Sequence, residues 1–100
     1  MTKVFFTSQA ERDLEEIADF IAADNPSRAV SFIREIRERC AKIAEAPLAY
    51  PARPELGDTL RSCVYGRYIL FFQAADTHVL IVRVLHGSRD LARLFGDDLQ

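Results

Sequence analysis

The sequence has few of the residues that would mark a metal, disulfide or membrane protein. Its two cysteines, Cys40 and Cys63, lie far apart, with no CxxC pair and no cysteine–histidine cluster. That spacing suggests neither zinc nor a disulfide framework, and no cofactor or metal is expected. No apolar stretch reaches the roughly 18 residues of a membrane span, and the first residues lack a signal peptide's basic start and long apolar run. Positive charge is not in surplus either: 13 basic residues face 15 acidic ones, for a formal charge of −2 and a pI near 5.6. Bulk nucleic-acid binding calls for a basic field, so direct specific DNA binding by this chain is not expected, although a local basic patch stays open. Repeats, low-complexity segments and a composition break are missing as well. The expectation is one reduced, soluble, cytoplasmic domain over residues 1–100, without membrane attachment.

What is present is apolar material, 49% of the chain. A domain of this size buries roughly two-thirds of its unfolded surface, which leaves apolar area that a partner could take. Lys3 to Phe6 reads as a short strand. Thr7 or Ser8 then offers a helix cap, and Ser8 with Glu11 fits a capping box. Ala10, Leu14, Ile17, Ala18 and Ile21 recur at helical spacing, with Glu11, Arg12, Glu15, Glu16 and Asp19 outside. Asp24-Asn25-Pro26 breaks this helix and starts another, Asn25 as cap and Pro26 as first residue. Its expected inner stripe is Ala29, Ile33, Ile36, Cys40 and Ile43. Arg34 with Glu38, Glu35 with Arg39 and Glu38 with Lys42 are expected to pair outside. The short connection makes the pair an antiparallel hairpin.

Pro47, Pro51, Pro54 and Gly57 mark a long loop. Leu60 to Tyr65 reads as a strand, Gly66-Arg67 as a tight turn, and Tyr68 to Gln73 and Val79 to Leu85 as two further strands around a turn at Ala74–Thr77. The fold class is therefore α+β, a helical hairpin packed on a small antiparallel sheet in the order β-α-α-β-β-β. The last two strands are apolar on both faces. With the helices on one face, the other must curl into a second small core, be covered, or remain as greasy surface for another polypeptide, and the last is the expectation. The cluster Leu91, Leu94 and Phe95 is expected to dock on the sheet or on that partner.

Three stretches resemble the ParE/RelE superfamily of toxins from bacterial type II toxin–antitoxin modules, the ParE branch most closely. They are Phe5-Phe6-Thr7-Ser8-Gln9-Ala10-Glu11-Arg12-Asp13-Leu14-Glu15-Glu16-Ile17, Gly66-Arg67-Tyr68-Ile69-Leu70-Phe71-Phe72, and Val82-Arg83-Val84-Leu85-His86-Gly87-Ser88-Arg89-Asp90. The resemblance implies a RelE/ParE-like fold and a toxin held by a cognate ParD-like antitoxin in a hetero-oligomeric complex. A ParE-type toxin would inhibit DNA gyrase through protein–protein binding. A RelE-type toxin would instead cut messenger RNA on the ribosome.

Metal-free RNA cleavage needs a base, an acid and cations for the phosphate. Glu55, Arg67, Arg83 and His86 could imitate the glutamate, arginine and histidine that some RelE relatives use, but Gly87 stands where those relatives place a tyrosine. The loop has no lysine, and no tyrosine follows Tyr68. His86 reads as a strand-end histidine tying the sheet to the C-terminal segment rather than as a base. Arg83, alone among aliphatics, either binds phosphate or pairs with a carboxylate or the antitoxin. Arg53, Arg61 and Arg67 could gather on the open side of the sheet, or be ordinary solvated residues. Cys40 reads as core, Cys63 as a partly exposed thiol. The expected partner surface draws on Arg61, Arg67, Tyr68, Arg83, His86, Arg89, Leu91, Leu94 and Phe95.

Overall fold

Thr7 sets the first corner of the chain, between strand β1 (Lys3–Phe6) and helix α1 (Ser8–Ala22). In this computed structural model, which describes residues 2–89 together with Leu91 and Phe95, Thr7 is extended and its Oγ1 accepts the Ala10 N–H at 3.0 Å. The same hydroxyl donates to the Val82 carbonyl at 2.7 Å. Thr7 is thus the cap, not Ser8 with Glu11, because one hydroxyl there closes both the helix and a neighbouring strand. Helix α1 buries Ala10, Asp13, Leu14 and Ile17, while Ala18 and Ile21 are only half-buried.

Helix α2 (Pro26–Glu45) starts as the sequence indicates, the Asn25 side chain accepting the Arg28 N–H at 3.1 Å. Its buried stripe is Ala29, Phe32, Ile36, Cys40, Ile43 and Ala44. Phe32 takes the place expected for Ile33, since its ring meets those of Tyr65 and Tyr68 at 5.9 and 5.5 Å. Among the described residues none of the three expected pairs four apart closes as a salt bridge. Glu35 instead takes Arg28 at 2.6 Å and the Tyr65 hydroxyl at 2.5 Å. Solvated pairs at that spacing gain only a few tenths of a kcal/mol, too little to hold Glu35 against two charge-assisted bonds.

A short 3₁₀ turn (Pro47–Ala49) leads into the loop, and the meander follows: β2 (Leu60–Tyr65), β3 (Tyr68–Ala74) and β4 (His78–His86). The element order is the expected one. The four-stranded sheet runs β1-β4-β3-β2, antiparallel within the meander, and β1 joins the β4 edge in parallel. Gly66 has φ +60° at the first position of the two-residue turn, the conformation a II′ hairpin requires there. A bulge then resets β4: Phe72 faces Ile81 but Phe71 faces Arg83, leaving Val82 as the extra residue. Hence Val79, Ile81 and Val84 all join the helix-side core, while Val82 and Leu85 go to the opposite face.

That opposite face is closed, contrary to the expectation of greasy surface. Leu56, Leu60, Phe71, Leu85 and Phe95 form a second core in which no member exceeds 7% exposure, with Ile69, Val82 and Leu91 packed around it. The loop can do this because it is stitched to β2: the Arg53 N–H bonds the Leu60 carbonyl at 2.8 Å, and the Ser62 N–H bonds the Pro51 carbonyl at 3.0 Å. Leu56 is thereby laid over the sheet. Phe95 stacks edge-on against Phe71 with ring centroids 4.7 Å apart. Burying both faces of β3 explains why its sequence is apolar throughout rather than alternating. Among the described residues no helix is long and apolar enough to cross a membrane.

Candidate functional site

Strand β1 stops opposite Ile81, whereas β4 continues to His86. The last five residues of β4 therefore have no strand on that side, and α1 closes the gap. Thr7 takes the Val82 carbonyl, as above. Asp13, 7% exposed, accepts the Val84 N–H at 3.0 Å and receives the Arg83 guanidinium at 2.8 and 3.0 Å. A carboxylate taken this far out of water must be paired and hydrogen-bonded, and here both oxygens are. Arg83 thus pairs with a carboxylate, one of the two roles its sequence position leaves open. Its partner Asp13 falls on neither helical stripe. The available signal was its place next to Leu14, with a single cation in an aliphatic strand elsewhere.

Between α1 and the end of β4 lies a groove of about 310 Å³. Ile17, Val84 and Leu85 line it, Phe20, Tyr68 and His86 flank it, and Glu16 and Arg89 stand at its rim. Phe20 is 74% exposed, an aromatic held on the outside of a helix with nothing over it among the described residues. His86 sits edge-on to Tyr68 with ring centroids 5.3 Å apart. Its Nδ1 accepts the Ser88 N–H at 3.1 Å and lies 2.7 Å from Ser88 Oγ. That backbone bond assigns the proton of the neutral ring to Nε2. His86 therefore ties β4 to the segment that follows.

Of the expected site residues the structure brings together Tyr68, His86 and Arg89, with Arg67 close by, since its carbonyl accepts the Gly87 N–H at 2.9 Å. It does not bring the others. Arg61 Nη1 donates to the Tyr50 carbonyl at 2.7 Å, at the far end of β2 from Arg67. Arg53 lies over Phe71 on the second core, where it binds Glu55 at 2.8 Å and Ser62 at 3.3 Å. The expected gathering of Arg53, Arg61 and Arg67 does not form: Arg53 lies over Phe71 on the open side, whereas Arg61 pairs with Phe72, a member of the helix-side core, and Arg67 follows the other end of β2. Arg53 also holds the Glu55 carboxyl below its ordinary range through their hydrogen bond. Glu55 is held by Arg53 in the loop bonded to the Leu60 end of β2, whereas His86 pairs with Tyr68, at the other end of the β2–β3 hairpin. The set Glu55, Arg67, Arg83 and His86 does not converge on one phosphate. Leu91 and Phe95 dock on the chain's own sheet, while Leu94 lies outside the described residues.

Neither thiol is placed for chemistry. Burial pushes Cys40 up to about 12 and raises Cys63 as well. Cys63 is 5% exposed rather than partly open, because Phe32, Tyr65 and Leu70 belong to the same core. Among the described residues no group of histidine, cysteine or carboxylate side chains could hold a metal ion.

With this geometry in place, the family model described as the ParE toxin of the type II toxin–antitoxin system parDE matches residues 4–91. No curated protein sequence matches the chain. Among solved structures, the chromosomal ParDE toxin–antitoxin system from P. aeruginosa superposes with a TM-score of 0.72 at 19% identity, over 86% of this chain and 96% of that one. At that identity the likeness shows the fold alone. The RelBE2 toxin–antitoxin complex from Mycobacterium tuberculosis superposes with a TM-score of 0.60 at 28% identity, over 85% and 96% of the two chains.

Proposed function

The chain belongs to the ParE toxins of type II toxin–antitoxin systems, and on that footing we propose that it inhibits DNA gyrase by binding it. A ParD-like antitoxin neutralises it in a hetero-oligomeric complex. The observation that carries this reading is the dispersal of the groups a nuclease would need. Arg83 is spent on Asp13, Glu55 on Arg53, and the His86 Nδ1 on Ser88. What stands free at the surface is instead suited to protein contact: an exposed Phe20 beside an apolar groove, with Tyr68 and Arg89 alongside.

Likeness to the RelBE2 complex favours message cleavage as the competing reading. One experiment separates them. Purified toxin, released from its complex, is added to gyrase and relaxed plasmid, and in parallel to ribosomes carrying message. The proposal expects supercoiling to fall with wild-type protein and with His86→Ala alike, and the message to stay whole. Undiminished supercoiling together with cleaved message, abolished by His86→Ala, would replace it with the nuclease reading.

A further inference from the structure

Helices α1 and α2 lie side by side, and the short connection through residues 23–25 makes them antiparallel. Their inner stripes are taken up by the sheet. Each helix carries a second row beside the seam between them, on the side turned away from the sheet. On α1 this row is Glu11, Glu15, Ala18 and Ala22, and on α2 it is Val30, Arg34, Arg37 and Ala41. Both advance by four, three and four residues, the spacing of one continuous helix side. Between the rows runs a groove of about 200 Å³, floored by Leu14, Ala18 and Ile33, with Glu11 and Glu15 on one bank and Arg37 on the other. Val30, farther along the α2 row, is 68% exposed.

The rows differ in sign. Among the described residues, Glu11, Glu15, Arg34 and Arg37 form no salt bridge, and Arg37 lies over the Phe6 ring at 5.2 Å. Arg12 and Glu38, next to Glu11 and Arg37 in sequence, reverse the sign on each helix and are again opposite to one another. Such a face is complementary to itself. A two-fold axis along the seam keeps every residue at its height and lays α1 of one copy over α2 of the other. Glu11 and Glu15 then meet Arg34 and Arg37 of the second copy, and the axis repeats the contact. The alanines in both rows let the backbones approach to ordinary helix-packing distance. An axis across the helices would instead stack α1 on α1 and set acid against acid.

We infer that the chain self-associates through the outer face of its helical hairpin, α1 of each copy lying over α2 of the other. A second copy is the occupant because it brings the charges that each row lacks, at the heights where they are needed. Two helices, each about 10 Å across and overlapping for about 22 Å, bury about 450 Å² per copy. A standard stable interface takes about 800 Å² per partner, so this dimer is weak and concentration-dependent. The groove beside Phe20 lies on the flank of α1 that faces β4 and stays uncovered. The pairing thus depends neither on the antitoxin nor on the toxin's target.

Sedimentation velocity of the purified full chain, over a series of concentrations, tests it. Wild type should pass from monomer to dimer as concentration rises through the micromolar range, and high salt should weaken the dimer. Glu15 and Arg34 are exposed helix positions, so Glu15→Arg and Arg34→Glu leave the core alone. Each variant by itself sets like charges across the axis and should weaken the dimer at least tenfold, with helix content unchanged. Mixed together, the two variants should pair with one another within threefold of wild-type affinity, because each supplies the sign that the other has lost. A wild-type chain that stays monomeric up to millimolar concentration overturns the inference. So does a dimer that ignores both reversals, since it uses another surface. A monomer whose binding to the protein encoded by the adjacent reading frame is weakened by Glu15→Arg assigns the face to that protein and overturns it as well. In all three cases the toxin reading stands.

Discussion

Asp13 and Arg83 show how one pair can fix the relation of a helix to a strand. Lysine could not replace Arg83, because the carboxylate is gripped at two points by a planar fork while it also holds the Val84 amide. Removing one member of such a pair strands the other away from water, which typically costs several kcal/mol. Asp13→Ala should therefore lower unfolding stability by about 3 kcal/mol, and Asp13→Asn, which keeps an acceptor for Val84, by less. Urea denaturation of the purified variants measures both. A loss below about 1 kcal/mol for Asp13→Ala would mean the pair behaves like an exposed one.

Among the elements, α2 and the β2–β3 hairpin are joined by Glu35, which receives Arg28 and the Tyr65 hydroxyl. The Arg28 bond, and then the Tyr65 bond, lower the Glu35 carboxyl from its ordinary value, and the bond to Glu35 raises the Tyr65 phenol. A lowered carboxyl stabilises the fold above its unfolded value of 4.5 and loses that contribution as pH falls through its lower folded value. A raised phenol stabilises below its unfolded value of 10.0 and loses that contribution as pH climbs past it. The difference in melting temperature between wild type and Glu35→Gln should thus be flat from pH 6 to 9. It should shrink under acid conditions and in strong base. A difference that persists unchanged at pH 3 would show that Glu35 contributes through shape rather than charge.

At the scale of the molecule, one sheet carries two cores, and the bulge at Phe71/Phe72 lets β4 serve both. The second core is small, so each large member matters. Phe95→Ala should cost about 3 kcal/mol and raise binding of a dye that reports exposed apolar surface, with helix content nearly unchanged. Unaltered stability and dye binding would mean that another residue covers Phe71. With this face closed, the groove beside the exposed Phe20 is partner surface that the described residues leave open.

Periodicity and turn chemistry, both local, were enough to give the element order, the helical hairpin, the Asn25-Pro26 start and the Gly66-Arg67 turn. Each depends on residues within a few positions of one another. The doubled apolar faces of β3 and β4 announced that both sides of the sheet needed cover, but not by what. The answers that came from far along the chain belong to the tertiary structure: Asp13 reaching Arg83, Thr7 rather than Ser8 as cap because Val82 is near, Phe32 rather than Ile33 turned toward two tyrosines, and Leu56 and Phe95 closing the second core. The bulge that sends Val84 to one core and Leu85 to the other is of the same kind. A pattern of alternating side chains fixes which residues prefer burial. Which face they reach, and what meets them there, is settled only when distant segments compete for the same space.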